Sequence, residues 1–290
     1  MANIKELKSR IKTTKNTHKI TGAMKLVSAA KLNRAQQAIL GARPYANELD
    51  GTIKTIAALT QNYSHQFLEE NEENKQALLL VISSDKGLCG GYNSQLNKTV
   101  RKFVTENSDL DFKLVYVGKK VRDLVKKEFN SGKTFTFEKN EPSFEEIKKL
   151  AEELALYFAD GEIGKVFIAY NSFKSALEFI PTCKQVLPMT MSTEEKEELK
   201  KDFPFDFKYD ETPKDILDAL IPEAYISNVY ISVLDAIAAE HGARMTAMDN
   251  ATSNCSDMIK KLTLKMNKLR QAAITTELIE VVSGAESLNG

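Results

Sequence analysis

The chain has 290 residues, 42% hydrophobic and 28% charged, with no Trp and a formal net charge of zero. That length allows one or two domains, and the high charged fraction with few aromatics suits extended helices better than one large core. Three widely spaced cysteines, Cys89, Cys183 and Cys255, argue against a disulfide framework or a zinc cluster and suit a reducing compartment.

The zero net charge conceals segregation. The first 54 residues carry eleven Lys and Arg against three acidic residues, whereas from Asp210 onward seven basic residues stand against twelve acidic ones. Five of those seven, Lys260, Lys261, Lys265, Lys268 and Arg270, lie together. Met1 to Arg10 is amphipathic and lacks the continuous apolar core of a secretion signal. The apolar stretches at Ala77–Ile82 and Val229–Ala239, the second interrupted by Ser232 and Asp235, fall short of membrane-spanning length. The expectation is no direct membrane insertion, although the chain could dock on a protein that spans one.

Asn3 to Thr60 reads as one long helix, and Thr212 to Ser283 as another. At about 1.5 Å per residue these would be rods of roughly 80 to 105 Å, able to pair as an antiparallel shaft. In the first, Ile4, Leu7 and Ile11 follow helical spacing. Between Ile20 and Leu32 apolar or small residues cover most of the circumference, leaving a narrow polar stripe at Lys25, Ser28 and Lys31. A helix apolar nearly all round is buried nearly all round, so this collar requires another polypeptide or a fold-back into its own domain. Gly41, Pro44 and Gly51 predict a kink or break near Arg43-Pro44. Glu69 to Asn74 is an acidic loop.

From Leu78 the pattern alternates. Strands are predicted at Leu78–Ser83, Phe112–Val117, Thr134–Phe137, Val166–Tyr170 and Phe179–Leu187. Helices are predicted at Lys98–Glu106, Lys119–Phe129 and from Pro142 to about Phe158, the last with Ser143 as N-cap. Such alternation implies a layered α/β domain with a largely parallel sheet, although the last two strands could instead pair as a hairpin. Ser192 to Lys201 is charged and surface-like. The final helix opens at Thr212-Pro213, with proline at its first position. It keeps apolar faces through Leu217, Leu220 and Ala224 and through Ile226, Tyr230, Val233 and Ile237, while Pro222 bends it early. Ala251, Cys255, Met258, Leu262, Met266, Leu269 and Ala273 form a seam in steps of three and four. The Ala-rich stretch with Gly242 invites close approach of a partner backbone, and Gly284 is placed to end the helix. The domains expected are therefore an N-terminal shaft helix over 1–60, a central α/β domain over 75–190, a charged connector over 191–211 and a C-terminal shaft helix over 212–290.

Chemistry is sparse. Ser83 to Gly91, containing Asp85, Lys86, Gly87, Gly90 and Gly91, follows a strand and precedes a helix, where phosphate loops occur. Its spacing fits neither the dinucleotide fingerprint nor the phosphate-loop pattern, and in Gly132-Lys133-Thr134 the required first glycine is replaced by Lys127. A tight structural turn is the preferred reading. Cys89 has no histidine near it in sequence and reads as a structural thiol, His65 as a solvated loop residue, and no carboxylate or histidine spacing indicates a metal. No cofactor and no catalytic residue are expected. The basic first helix could attract nucleic acid, but no aromatic interleaving accompanies it, and the apolar collar favours a protein sleeve. The rival classes are a coiled-coil scaffold for nucleic acid and a nucleotide-dependent α/β enzyme.

Three segments carry a resemblance: Ile20-Thr-Gly-Ala-Met-Lys-Leu-Val-Ser-Ala-Ala-Lys-Leu32, Asp85-Lys-Gly-Leu-Cys-Gly-Gly91 and Arg270-Gln-Ala-Ala-Ile-Thr-Thr-Glu-Leu-Ile-Glu-Val-Val-Ser-Gly-Ala285. They closely resemble the gamma subunit of the F-type ATP synthase, essentially end to end. The resemblance implies an α/β fold in which a long antiparallel coiled coil of N- and C-terminal helices accompanies a central Rossmann-like domain. It implies a non-catalytic rotor inside a ring of alternating alpha and beta subunits, beside the epsilon subunit and on the membrane ring of c subunits. The chain would then be peripheral, on the cytoplasmic side of the membrane, as part of the F1 sector. By the same likeness Met24, Lys25, Arg270, Gln271, Thr275 and Glu277 fall where the shaft touches the beta subunits. Where the family commonly has Arg, this chain has Lys86, which keeps charge but loses a planar fork. A chloroplast-type cysteine insertion is absent. The family also has a similar Arg-Pro-Tyr-Ala element in a continuing helix, which favours a local irregularity at Pro44 over a break.

Overall fold

The computed structural model describes residues 2–60, 63–71, 73–137, 142–190, 195, 197, 199 and 207–289. In chain order the elements are α1 (Ala2–Leu59), β1 (Gln76–Ile82), α2 (Tyr92–Glu106), β2 (Asp111–Val117), α3 (Lys120–Val125), β3 (Ser131–Phe135), α4 (Phe144–Ala159), β4 (Lys165–Phe173), β5 (Phe179–Leu187) and α5 (Pro213–Asn289). By contact the chain divides into two compact units, Met1–Ser28 with Arg244–Gly290, and Ala29–Ala243. Residues 192–201, expected to be charged surface, fall almost wholly outside the described residues.

The larger unit is built on one sheet of order β3-β2-β1-β4-β5. β1 pairs in parallel with both β2 and β4, and β2 with β3, while β5 returns antiparallel to β4. Both expectations for the last strands thus hold: the sheet is largely parallel and its final pair is a hairpin. Side chains alternate across a strand. Leu78, Leu80 and Ile82 therefore face α4 and α5, through Ile147, Leu154, Tyr225 and Val229. Ala77, Leu79 and Val81 face α2 and α3, through Leu96, Val100, Val121 and Val125. A strand covered on both faces must read as an unbroken apolar run, and that is why β1 was legible. The start of α4 carries a full capping box, with Ser143 Oγ accepting from Glu146 N–H and the Glu146 carboxylate accepting from Ser143 N–H. At the start of α5 the Thr212 hydroxyl accepts from Asp215 N–H at 3.2 Å.

Several boundaries differ from expectation. α2 begins at Tyr92 rather than Lys98, and α3 ends at Val125 rather than Phe129. β3 lies at Ser131–Phe135, three residues before the predicted start, and β4 extends to Phe173. α1 is helical through Pro44, and α5 through Pro222. Proline removes the donor to the carbonyl four residues back. Here those residues are Leu40 and Asp218, both exposed, so water can take the freed carbonyls. Gly284 does not end α5, which runs to Asn289. Inside a helix glycine costs only about 1 kcal/mol relative to Ala, too little to stop it alone.

Candidate coupling surface

In the smaller unit α1 and α5 run antiparallel. Thr14 lies against Met258, Thr252 Oγ1 donates to Thr21 Oγ1 at 2.8 Å, and Lys25 Nζ donates to Asp249 Oδ1 at 2.7 Å. Among the described residues of this unit the buried positions are Leu7, Ile11, Thr21, Ser28, Arg244 and Met248. Of the seam predicted on α5, Ala251, Cys255, Leu262, Met266, Leu269 and Ala273 are half-buried, and Met258 is exposed. The narrow polar stripe lies partly in the seam: Ser28 is only 3% exposed and Lys25 is engaged by Asp249, whereas Ile20, Leu26 and Val27 of the apolar collar are 58–70% exposed. Thr21 and Thr252 bond through their hydroxyls across the seam, while Ile20, Leu26 and Val27 turn outward. Those three side chains of the collar meet water, while Leu32 at its end is buried in the larger unit.

By the register of these contacts Ala2 lies level with about Arg270, given 1.5 Å of rise on each helix. Beyond it α5 has no helical partner among the described residues of the unit, and Ile274, Leu278, Ile279, Val281 and Val282 are 47–68% exposed. Arg270, Gln271, Thr275 and Glu277 are exposed on this segment, with the Thr275 hydroxyl donating to Gln271 O at 3.0 Å. Met24 is half-buried. Asp249 and Arg270 are 21 residues apart on α5, roughly 30 Å at 1.5 Å per residue. The structure therefore does not bring the six predicted contacts together; they form two groups, one at Met24 and Lys25 and one at the free end of α5.

The loop after β1 lies in the larger unit. Ser84 is its hub: its hydroxyl donates to Lys86 O at 2.8 Å and accepts from Asn93 Nδ2 at 2.7 Å, while Asn93 Oδ1 accepts from Ser84 N–H. Cys89 is buried beside them. Leu88 and Gly90 adopt positive φ, of 65° and 57°, and Gly91 is the N-cap of α2. Asp85, Lys86 and Gly90 are exposed and Gly87 is half-buried. In an open α/β sheet ligands lie beyond the strand C-termini where the winding reverses, here between β1 and β4. That crevice is filled from within: Tyr92 is buried, its hydroxyl donates to Ala236 O on α5, and it clusters with Cys89 and Ala239.

Sequence reasoning missed His65. It is half-buried, and its Nδ1 accepts from Phe67 N–H at 3.0 Å in a turn that also holds Tyr63. Burial lowers its pKa below the usual imidazole value, against the pull of Asp218 and Glu69. The signal was local: a His two residues before an aromatic that packs on Phe158 and Tyr225. Cys183 is also shielded, and burial pushes its thiol up to about 12. Among the described residues no group of three or more His, Cys, Asp or Glu side chains is arranged to hold a metal ion, and no helix is long and apolar enough to cross a membrane.

The family model for ATP synthase matches residues 3–288. The ATP synthase gamma chain of Bdellovibrio bacteriovorus is 41% identical over 298 residues, covering the whole of both chains. The chain belongs to the ATP synthase gamma chain family. A second gamma chain, from Geotalea daltonii, is 40% identical with the same full coverage. Among solved structures, a chain of the Euglena gracilis mitochondrial ATP synthase in rotational state 3 superposes with a TM-score of 0.66 at 20% identity, covering 99% of this chain and 95% of the other. A chain of the Tetrahymena thermophila central stalk and c-ring superposes with a TM-score of 0.59 at 23% identity, over 80% and 99%. Long terminal helices with a central five-stranded mixed sheet are thus the gamma-chain fold.

Proposed function

We propose that this gamma-family chain is the central-stalk rotor subunit of an F-type ATP synthase, non-catalytic in itself. In this reading it couples ion flow through the membrane sector to ATP synthesis or hydrolysis at the beta subunits. Its helix pair turns inside a ring of three alpha and three beta subunits, its α/β domain meets the epsilon subunit and the c-ring, and it is peripheral on the cytoplasmic side of the membrane. The observation that carries the reading is the inverted helix pair. Its inner seam includes Thr21 and Ser28, its outer surface is apolar at Ile20, Leu26 and Val27, and the end of α5 beyond it is apolar at Ile274 and Leu278. Apolar surface left outward on a narrow helical unit calls for an enclosing protein.

A pair made from two different helices presents different faces around its axis, so a threefold ring meets a different surface at each catalytic site. Bias on a site comes only from binding one of its conformations more tightly, and a nearly complete switch takes about 5.5 kcal/mol. Arg270, Gln271, Thr275 and Glu277 on the free end of α5, with Met24 and Lys25 further along, are the proposed contacts to the beta subunits. Asp85, Lys86, Gly87, Gly90 and Gly91 belong to the loop after β1 in the α/β domain. Neither nucleic acid nor a cofactor is required.

Co-purification tests the assignment, with one copy of this chain expected beside three each of two nucleotide-binding subunits. Within that complex, Arg270→Ala with Gln271→Ala should weaken ATP-driven ion pumping relative to ATP hydrolysis. Unchanged torque and unchanged pumping would remove those two residues from the coupling surface.

A further inference from the structure

Among the described residues Asp235 is the one buried carboxylate of α5, set between Leu234 and Ala236 with its side chain only 6% exposed. Three elements converge on it. Arg43 of α1 donates through Nη2 to Oδ1 at 3.1 Å, and Ser172 of β4 donates to Oδ2 at 3.4 Å. Lys184 of β5 faces the same carboxylate while its Nζ donates to Asn228 of α5 at 3.4 Å. Further along the pair, α1 also meets α5 in an apolar cluster, Leu49, Ile53 and Ile56 against Leu217, Ile221 and Ala224. Apolar contacts are non-directional and survive a slip along the helix axis. A slip of one turn, about 5.4 Å, would separate Asp235 from Arg43 and leave a buried charge without its principal partner.

We propose that Asp235 and Arg43 are positioning residues for coupling: their pairing locks the register of α1 and α5 against the sheet, so that torque passes between the sheet and both helices without slippage. The proposal rests on the rotor reading above. Fixing register is the best-attested use of a polar pair set among apolar contacts. The same two helices form the pair of the smaller unit, so their register in the larger one is the quantity a rotor has to hold under load.

The test uses the intact complex in sealed vesicles, measuring ion transport per ATP hydrolysed. Asp235→Asn keeps the shape and removes the charge, Arg43→Gln removes the partner, and Arg43→Lys keeps the charge. The expected result is a several-fold fall in transport per ATP for the first two, with hydrolysis retained, and recovery of most of the ratio in Arg43→Lys. A wild-type ratio in both neutral variants overturns the proposal. So does an Asp235→Asn complex that fails to assemble while Arg43→Gln assembles and keeps the wild-type ratio, because the carboxylate would then serve folding alone. Failure of the rotor reading would appear separately, in the unsubstituted complex, as absence of this chain or of ATP-driven transport.

Discussion

Gly118, immediately after β2, gives the sharpest test of how the sheet is closed over its loops. Its φ is +86°, and a Cβ placed there would stand 2.1 Å from Ser83 O and 2.7 Å from Ser83 C. Ordinary carbon-to-oxygen contact is about 3.3 Å or more, so the end of β1 must retreat by roughly 1 Å. That retreat pulls on two hydrogen bonds that tie the strand ends together, Ser83 N–H to Val117 O at 2.8 Å and Lys120 N–H to Ser84 O at 3.1 Å. Buried groups left unpaired cost about 1–3 kcal/mol each, and the left-handed backbone adds about 1–2 kcal/mol for a residue with a Cβ. Gly118→Ala should therefore cost about 4 kcal/mol or more, a fall in melting temperature of roughly 8–16 °C at about 2–4 °C per kcal/mol. Gly161 is the internal control: its φ is +74°, but nothing lies within 4 Å of its Cβ position. There the left-handed cost is partly offset by the lost freedom of the unfolded chain, leaving about 1 kcal/mol. Thermal melts of the two variants of the full chain decide the matter. Equal shifts, or a smaller one for Gly118→Ala, would refute the argument from close approach.

His65 supplies a pH dependence. Burial lowers its folded pKa below the ordinary 6.5, so the unfolded chain binds more protons in that interval and stability rises with pH through it. Protonating Nδ1 also removes the acceptor for Phe67 N–H. Acidification from neutrality toward pH 5 should speed hydrogen exchange at the Phe67 amide, corrected for intrinsic rates, and His65→Gln should flatten the dependence; an identical slope in the variant would remove His65 as its source. Ser143→Ala takes away the capping box of α4 and should cost about 1 kcal/mol in urea unfolding, with Ser143→Asp close to wild type.

What the sequence disclosed followed how strongly burial constrained each element. β1 and β4 are shielded on both faces and showed unbroken apolar runs, and α4 announced itself through Ser143 and Glu146. β3 did not, because Ser-Gly-Lys-Thr-Phe is an edge strand with no buried residue and takes its place from pairing with β2. The start of α2 was hidden because Gly91 caps it without a side-chain bond and its first apolar residue, Tyr92, points to α5. In the collar, periodicity alone did not show which face the helix pair covers: Thr21 and Ser28 lie in the seam while Ile20, Leu26 and Val27 turn outward. Nor does a single sequence show that Lys25 meets Asp249 across more than two hundred residues.

The filled switch point separates this fold from the nucleotide enzymes it resembles in outline. Strand order, the loop after β1 and the N-terminus of α2 are all in place. A diphosphate there would need open space against backbone N–H groups and glycine where the chain approaches it. Instead Tyr92 lies across the crevice and bonds to α5. At the same end of the sheet the β4–β5 turn meets α5 at Gly242, where a Cβ would come within 3.2 Å of Ala176 O. The position that would grip a cofactor thus grips a helix. Emptying it with Tyr92→Ala would open a void beside Cys89 and Ala239, while the Ser84 N–H and hydroxyl stay engaged with Asn93 and Lys86. For a subunit whose work is to transmit force, anchoring a long helix is the use of that crevice that the surrounding residues support.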